Sequence, residues 1–151
     1  MITLVCGIPA AGKSTWCGDK PVLSFDSWAI RRYDTWNASE AGQAYASDPN
    51  GRDAFLDAIT QAAAGSPDLC VEVMALKKEE RRAMVGRLVQ RGFREVSCVY
   101  VLCDLLSAVH RNQERDAPVN RGIIYKAWAM QEFPTKDEGF SSVTFYVGAG
   151  R

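Results

Sequence analysis

Histidine is nearly missing from this sequence: His110 is the only one, flanked by Val109 and Arg111, with no evident partner for nucleophilic or metal chemistry. It reads as a structural or surface residue. The five cysteines, Cys6, Cys17, Cys70, Cys98 and Cys103, contain no C-x-x-C pair, and no histidine cluster completes a zinc site. They read as reduced core residues. Net charge is missing too, since eighteen basic and eighteen acidic side chains cancel. That balance argues against a protein coating duplex DNA through a general basic surface. No apolar run approaches the roughly 20 residues that span a bilayer. The first apolar stretch is short, lacks a basic lead and runs straight into a glycine-rich loop, unlike a signal peptide. The expectation is a soluble cytoplasmic protein.

What is present is apolar content sufficient for one core: 47% of the 151 residues are hydrophobic, about one ordinary domain over 1–151. Apolar runs of strand length recur at 2–6, 21–25, 69–74, 96–103 and 143–147. They are β-branched and lack polar alternation, as strands buried on both faces do. Helical spacing fills the intervals at 53–64, 78–91 and 119–131. In the second of these Met84, Val85, Leu88 and Val89 share a side; in the third Ile123, Ile124, Ala127 and Trp128 form a core-facing stripe. The alternation predicts an α/β fold with about five mainly parallel strands and helices on both faces. Two stretches fit poorly. Residues 34–52 are rich in small and turn-forming residues and read as a loop or a short irregular helical insertion. Residues 111–122, with arginines and Pro118, read as a lid, the usual role of long connections in compact domains.

The most informative stretch is "GIPAAGKST", Gly7 to Thr15. Glycines at the two ends permit backbone conformations that turn several amide N–H groups inward, and the loop opens a helix whose dipole adds to the attraction for anions. Gly7, Pro9, Ala10, Ala11, Gly12, Lys13, Ser14 and Thr15 are therefore the expected cradle for ATP phosphates. Lys13 is placed on the β- and γ-phosphates, and Ser14 on Mg²⁺. The short pattern gains force from its context, after a strand and before a helix. It makes the expected fold a P-loop NTPase fold.

Where the end phosphate goes depends on other residues. "VLSFDSW" puts Asp26 at the carboxyl end of the second strand, where ligands bind in open α/β sheets. There it could take the proton of an acceptor hydroxyl, or merely cap a helix starting at Ser27. Glu72 lies inside the buried-looking run "LCVEVM" and needs compensation. It is read either as a metal-site residue orienting Mg²⁺-bound water, or as the partner of a core arginine. The charge is uneven: residues 1–75 hold only Lys13, Lys20, Arg31, Arg32 and Arg52 against nine acids. Phosphate-binding cations are therefore sought in the second half. Arg111 and Arg115, four residues apart, would share a helix face and approach one polyphosphate, with Arg121 across Pro118. The alternative is a solvated helix end neutralised by Glu114 and Asp116. Arg87, Arg91 and Arg94 fall opposite an apolar stripe and read as an exposed face. Trp28, Tyr33 and Trp36 surround Arg31 and Arg32, a composition that can stack bases and hold a backbone, although Trp28 and Tyr33 could equally be core.

The order "GIPAAGKSTW", a strand ending in Asp26, "EERR" at 79–82, then "RNQER", "PV" and a helix resembles the kinase domain of bacteriophage polynucleotide 5′-hydroxyl kinases and related small P-loop kinases. At the level of motif order the resemblance covers nearly the whole chain. It implies an ATP- and Mg²⁺-dependent kinase with Lys13 and Ser14 on phosphate and metal, Asp26 as general base, Arg115 as a lid arginine on the transferring phosphate and Arg111 nearby. The acceptor implied is a nucleic acid hydroxyl, and the aromatic and arginine composition after Asp26 makes Trp28, Arg31 and Arg32 the expected substrate-binding residues. Departures concern the acceptor: the arginine expected three residues after the base is Ala29, and the acid at the end of the third strand is replaced by Met74 or displaced to Glu72. A kinase of a modified base or small molecule, and a slowly hydrolysing nucleotide-binding regulator, are the alternatives.

Overall fold

The computed structural model describes residues 1–116 and 118–148; Ala117, inside the expected lid, and residues 149–151 lie outside the described residues. Five strands form one sheet: β1 (Ile2–Cys6), β2 (Val22–Ser24), β3 (Leu69–Glu72), β4 (Val96–Leu102) and β5 (Val143–Val147), in the order β2-β3-β1-β4-β5. Every pairing among the described residues is parallel, with Leu4 of β1 set between Val71 and Cys98. The central strands are the ones with unbroken apolar sequence, because helices cover both of their faces.

Alternation along β1 sorts the core into two layers. Ile2, Leu4 and Cys6 face one way, onto α4 (Gly51–Gly65), which contributes Phe55, Leu56 and Ile59, and onto α5 (Lys78–Gln90), which contributes Val85 and Leu88. Val5 faces the other way, onto α1 (Lys13–Cys17), α6 (Leu105–Gln113) and α7 (Arg121–Met130), through Cys17, Ala108, Ile124 and Ala127. Each fully buried aliphatic side chain contributes about 1.5–3 kcal/mol. Among the described residues the one fully buried arginine is Arg81 of α5. It donates to Glu138 Oε1 at 2.7 Å and to the carbonyls of Ala75 and Glu132 at 2.8 and 2.7 Å. Thus the core arginine exists, but its partner is Glu138 of the 3₁₀ turn Lys136–Glu138, and Glu72 is used elsewhere.

The structure departs from the sequence expectations at several places. Residues 38–47 are a regular helix, α3 (Ala38–Ser47), where a loop or a short irregular helical insertion was expected, so the helical alternative holds but in regular form. Asn37 caps it by accepting from the Glu40 amide at 2.9 Å, and its small residues let it lie against α2 (Phe25–Tyr33). Strand β2 ends at Ser24, so Asp26 sits in the first turn of α2, and the cap is Ser24, whose Oγ accepts from Ser27 N at 3.4 Å. Asp26 is therefore not the cap. On α7 Trp128 is 38% exposed, and on α5 Val89 is 52% exposed, because the stripes that reach the sheet are narrower than their apolar spacing implied. Strand β5 lies at the sheet edge and keeps Phe145, Tyr146 and Val147 exposed. Among the described residues no helix is long and apolar enough to cross a membrane.

Candidate active site

The loop between β1 and α1 owes its shape to positive φ angles at Gly7 (148°), Ala10 (64°) and Gly12 (108°). A side chain at Gly7 would put Cβ 2.8 Å from the Val101 carbonyl, and one at Gly12 would put it 2.7 Å from Arg111 Nη1. The positive φ calls for glycine at both places, and at Gly7, where the neighbour is backbone, room calls for it as well. The helix that follows is only five residues long, so the loop's own amides carry more of the anion attraction than the macrodipole does. Lys13 Nζ donates to the Gly7 carbonyl at 2.7 Å, and Arg111, reaching across from α6, donates through Nη1 to the Ala11 carbonyl at 3.0 Å.

Charged side chains from three other parts of the chain converge on Lys13. Burial pushes its ammonium below the ordinary lysine value; the negative charges of Glu72 and Asp26 pull it back up, and Arg115 pushes it down. Lys13, Asp26, Glu72 and Arg115 therefore share one electrostatic neighbourhood, although they are far apart in sequence. Ser14 Oγ donates to the Glu72 carboxylate, 3.1 and 3.3 Å from its two oxygens. Glu72 is the last residue of β3, so the acid at the end of the third strand is present after all. Ser14 and Glu72 together offer hard oxygen donors of the kind Mg²⁺ takes, and no cluster of three or more His, Cys, Asp or Glu competes for a metal among the described residues. Mg²⁺ is usually held by one or two protein groups plus substrate phosphates, so this small donor set fits it.

These groups open into a cavity of about 880 Å³. Pro9, Ala10, Gly12, Lys13, Ser14, Thr15, Asp26, Glu72, Arg111 and Arg115 all line it, while Gly7 and Ala11 lie buried beneath the loop. Arg115 stands beyond the end of α6, in the turn after Gln113, so it and Arg111 reach the cavity from a helix and from the following turn rather than from one helical face. Arg121 is exposed at the start of α7 and does not line the cavity.

Trp28, Arg31 and Arg32 are not among the cavity-lining residues. Trp28 packs in an aromatic cluster, its ring centroid 5.9 Å from Phe25 and 5.0 Å from Phe55. Arg32 lies 3.6 Å from Asp48, which also accepts from Tyr33 Oη at 2.9 Å. Arg31 is exposed. The far wall is built instead by α3, the start of α4 and the middle and last turn of α5, with Ser39, Gln43, Tyr45, Arg52, Met84 and Arg87. Sequence reading missed these. Arg87, expected on an exposed face, is half-buried and lines the cavity, whereas Arg91 and Arg94 are exposed. Only the charge of Arg52 and Arg87 was visible in the sequence; the helix packing that brings them together has no local signature.

No protein-family profile matches the sequence, and no curated protein matches it. Solved structures do. A gluconokinase from Sinorhizobium meliloti superposes with a TM-score of 0.59 at 16% identity, over 99% of this chain and 83% of its own. A sugar kinase from Janibacter gives 0.61 at 15% identity, over 97% and 84%. Kti12 from Chaetomium thermophilum, solved with ADP-AlF3, gives 0.59 at 15% identity, over 97% and 89%. The chain has the P-loop kinase fold. At these identities the likeness extends to architecture alone, and the chemistry must be argued from the side chains.

Proposed function

We propose that this protein is an ATP-dependent phosphotransferase that moves the γ-phosphate to a hydroxyl of a small molecule bound between the phosphate loop and α3. The observation that supports this best is the convergence of Lys13, Asp26, Glu72 and Arg115 on one cavity that continues past the loop to a separate wall. A hydrolase or passive nucleotide binder has no need of that second compartment.

In this reading the loop amides and Lys13 hold the β- and γ-phosphates, and Arg111 braces the loop through the Ala11 carbonyl. Ser14 and Glu72 would hold Mg²⁺, which when bound neutralises phosphate charge. Asp26 accepts the acceptor's hydroxyl proton as the new O–P bond forms and the bond from the γ-phosphorus to the bridging oxygen breaks, releasing ADP. Arg115 and Lys13 supply positive charge to the phosphoryl oxygens during transfer.

Asp26→Ala should reduce acceptor-dependent turnover by about 10²–10⁴-fold while nucleotide affinity stays within about twofold. The check is transfer of γ-labelled phosphate from Mg·ATP, alongside nucleotide titration of both proteins. Unchanged turnover in the variant would remove Asp26 from the chemistry. ATP binding without consumption in the presence of any hydroxyl acceptor would favour a regulatory nucleotide-binding module. A polynucleotide 5′-hydroxyl is the second reading, favoured by Trp36, 94% exposed just after Arg31 and Arg32, where it could stack an unpaired base. Label on a 5′-hydroxyl oligonucleotide, lost in Trp36→Ala, would select it.

A further inference from the structure

The half of the cavity away from the phosphate loop contains two cations that the phosphoryl-transfer chemistry does not use. Arg52 is in the first turn of α4 and Arg87 in the last turn of α5, 35 positions apart in sequence, and both line the cavity. Among the described residues neither forms an ion pair with a carboxylate. Four other arginines do have carboxylate partners, Arg32 beside Asp48, Arg81 with Glu138, Arg82 with Asp137 and Arg91 with Asp57, and what sets Arg52 and Arg87 apart from the remaining exposed arginines is that both line the cavity wall opposite the loop. The acid on the same wall, Glu80, is engaged in capping α5, its Oε1 accepting from the Lys77 amide at 3.2 Å.

The two guanidinium groups also act on one point. Burial pushes the Tyr45 phenol up, and Arg52 and then Arg87 both pull it down, so Tyr45 feels the two charges together. Its ring is fixed edge-on against Phe25, 4.8 Å between centroids. Around these groups the wall carries the neutral donors and acceptors Ser39 and Gln43, over a floor of Phe55, Leu56 and Met84. Such a wall suits a molecule with several hydroxyls and one charged end. Arg87 is half-buried and Arg52 exposed; two like charges lining one cavity without a counter-ion leave positive potential there, and a planar forked donor set matches an oxyanion.

We propose that Arg52 and Arg87 form an oxyanion subsite, and that the acceptor is a small hydroxyl compound bearing a carboxylate or a phosphate, held by this pair with its reacting hydroxyl toward Asp26. The identification of the bound molecule as acceptor rests on the kinase reading above; the oxyanion subsite itself does not.

The test separates the two. With the phosphate loop saturated by Mg²⁺ and a non-hydrolysable ATP analogue, inorganic phosphate is titrated by calorimetry. It is small enough to reach the arginines whatever the natural carbon skeleton. One further phosphate site is expected, weakened at least tenfold by Arg52→Gln and by Arg87→Gln, with analogue affinity unchanged in both and partial recovery in Arg87→Lys. Glycerate, glycerol 3-phosphate and glycerol then distinguish the sources of the charge: carboxylate binding, phosphate binding or both is expected, and glycerol should bind at least thirtyfold more weakly. No phosphate site beside the bound analogue, a site indifferent to both substitutions, or glycerol binding as tightly as its charged relatives would overturn the subsite. If the analogue itself fails to bind, the kinase reading falls, and the same phosphate titration in Lys13→Met still decides the fate of the arginine pair.

Discussion

Gly12 and Glu72 in the candidate site each do two things, and the local sequence exposes only one of them. Gly12 turns the backbone, and it also leaves the space that Arg111 enters. Glu72 closes β3, and it also fixes the Ser14 hydroxyl. A carboxylate at that position should matter most when metal is scarce. Glu72→Gln keeps the size and loses the charge, so the Mg²⁺ concentration giving half-maximal turnover should rise about tenfold, equivalent to about 1.4 kcal/mol. Nucleotide affinity without metal should be unchanged. A metal titration of turnover beside metal-free nucleotide binding checks this, and an unshifted Mg²⁺ dependence would leave Glu72 a purely structural partner of Ser14.

At the scale of elements, legibility followed how local the determining forces are. The central strands β1, β3 and β4 were readable because continuous apolar runs need nothing but burial, and the loop after β1 because its geometry is written in consecutive residues. Helix α3 was readable only as one of two alternatives: "ASEAGQAYAS" has little apolar periodicity, and its regular form depends on the Asn37 cap and on packing against α2. Arg52 and Arg87 were lost for the same reason, since their meeting depends on how α4 and α5 lie on one sheet face. Trp28 shows the converse, an aromatic beside arginines that serves the packing of α2 and α4. The placement of α3 can be tested at Gly42, which lines the cavity and where an added Cβ meets nothing within 4 Å. Gly42→Ala should stabilise the protein by about 1 kcal/mol through helix propensity alone. Gly42→Leu should keep much of that gain and raise the acceptor KM at least tenfold with ATP KM unchanged. Denaturant melts and steady-state kinetics for both variants check it; a Leu variant with wild-type acceptor KM would move the acceptor away from α3.

For the whole molecule, the buried polar groups tie stability to pH with a definite sign. Burial raises the thiols of Cys17, to about 12, and of Cys70 and Cys103; Cys6 is raised first by its hydrogen bond with Cys98 and then by burial. Tyr45 and Tyr100 are raised by burial as well. These groups are neutral when protonated, so the folded chain keeps protons that the unfolded chain releases from about pH 8.5 for thiols and about pH 10 for phenols. Between those values and the folded ones the unfolded state binds fewer protons, and stability falls as pH rises. Lys13 works the other way, because burial lets it lose its proton earlier in the folded chain, but it is one group against several. Urea midpoints should therefore hold steady from pH 7 to 8.5 and decline from there to pH 10.5. Cys17→Ala, which removes one of the raised thiols, should flatten part of that decline and cost a small cavity at all pH values. A midpoint that stays constant or rises across that range would mean these thiols reach solvent far more readily than their burial between α1 and the sheet allows.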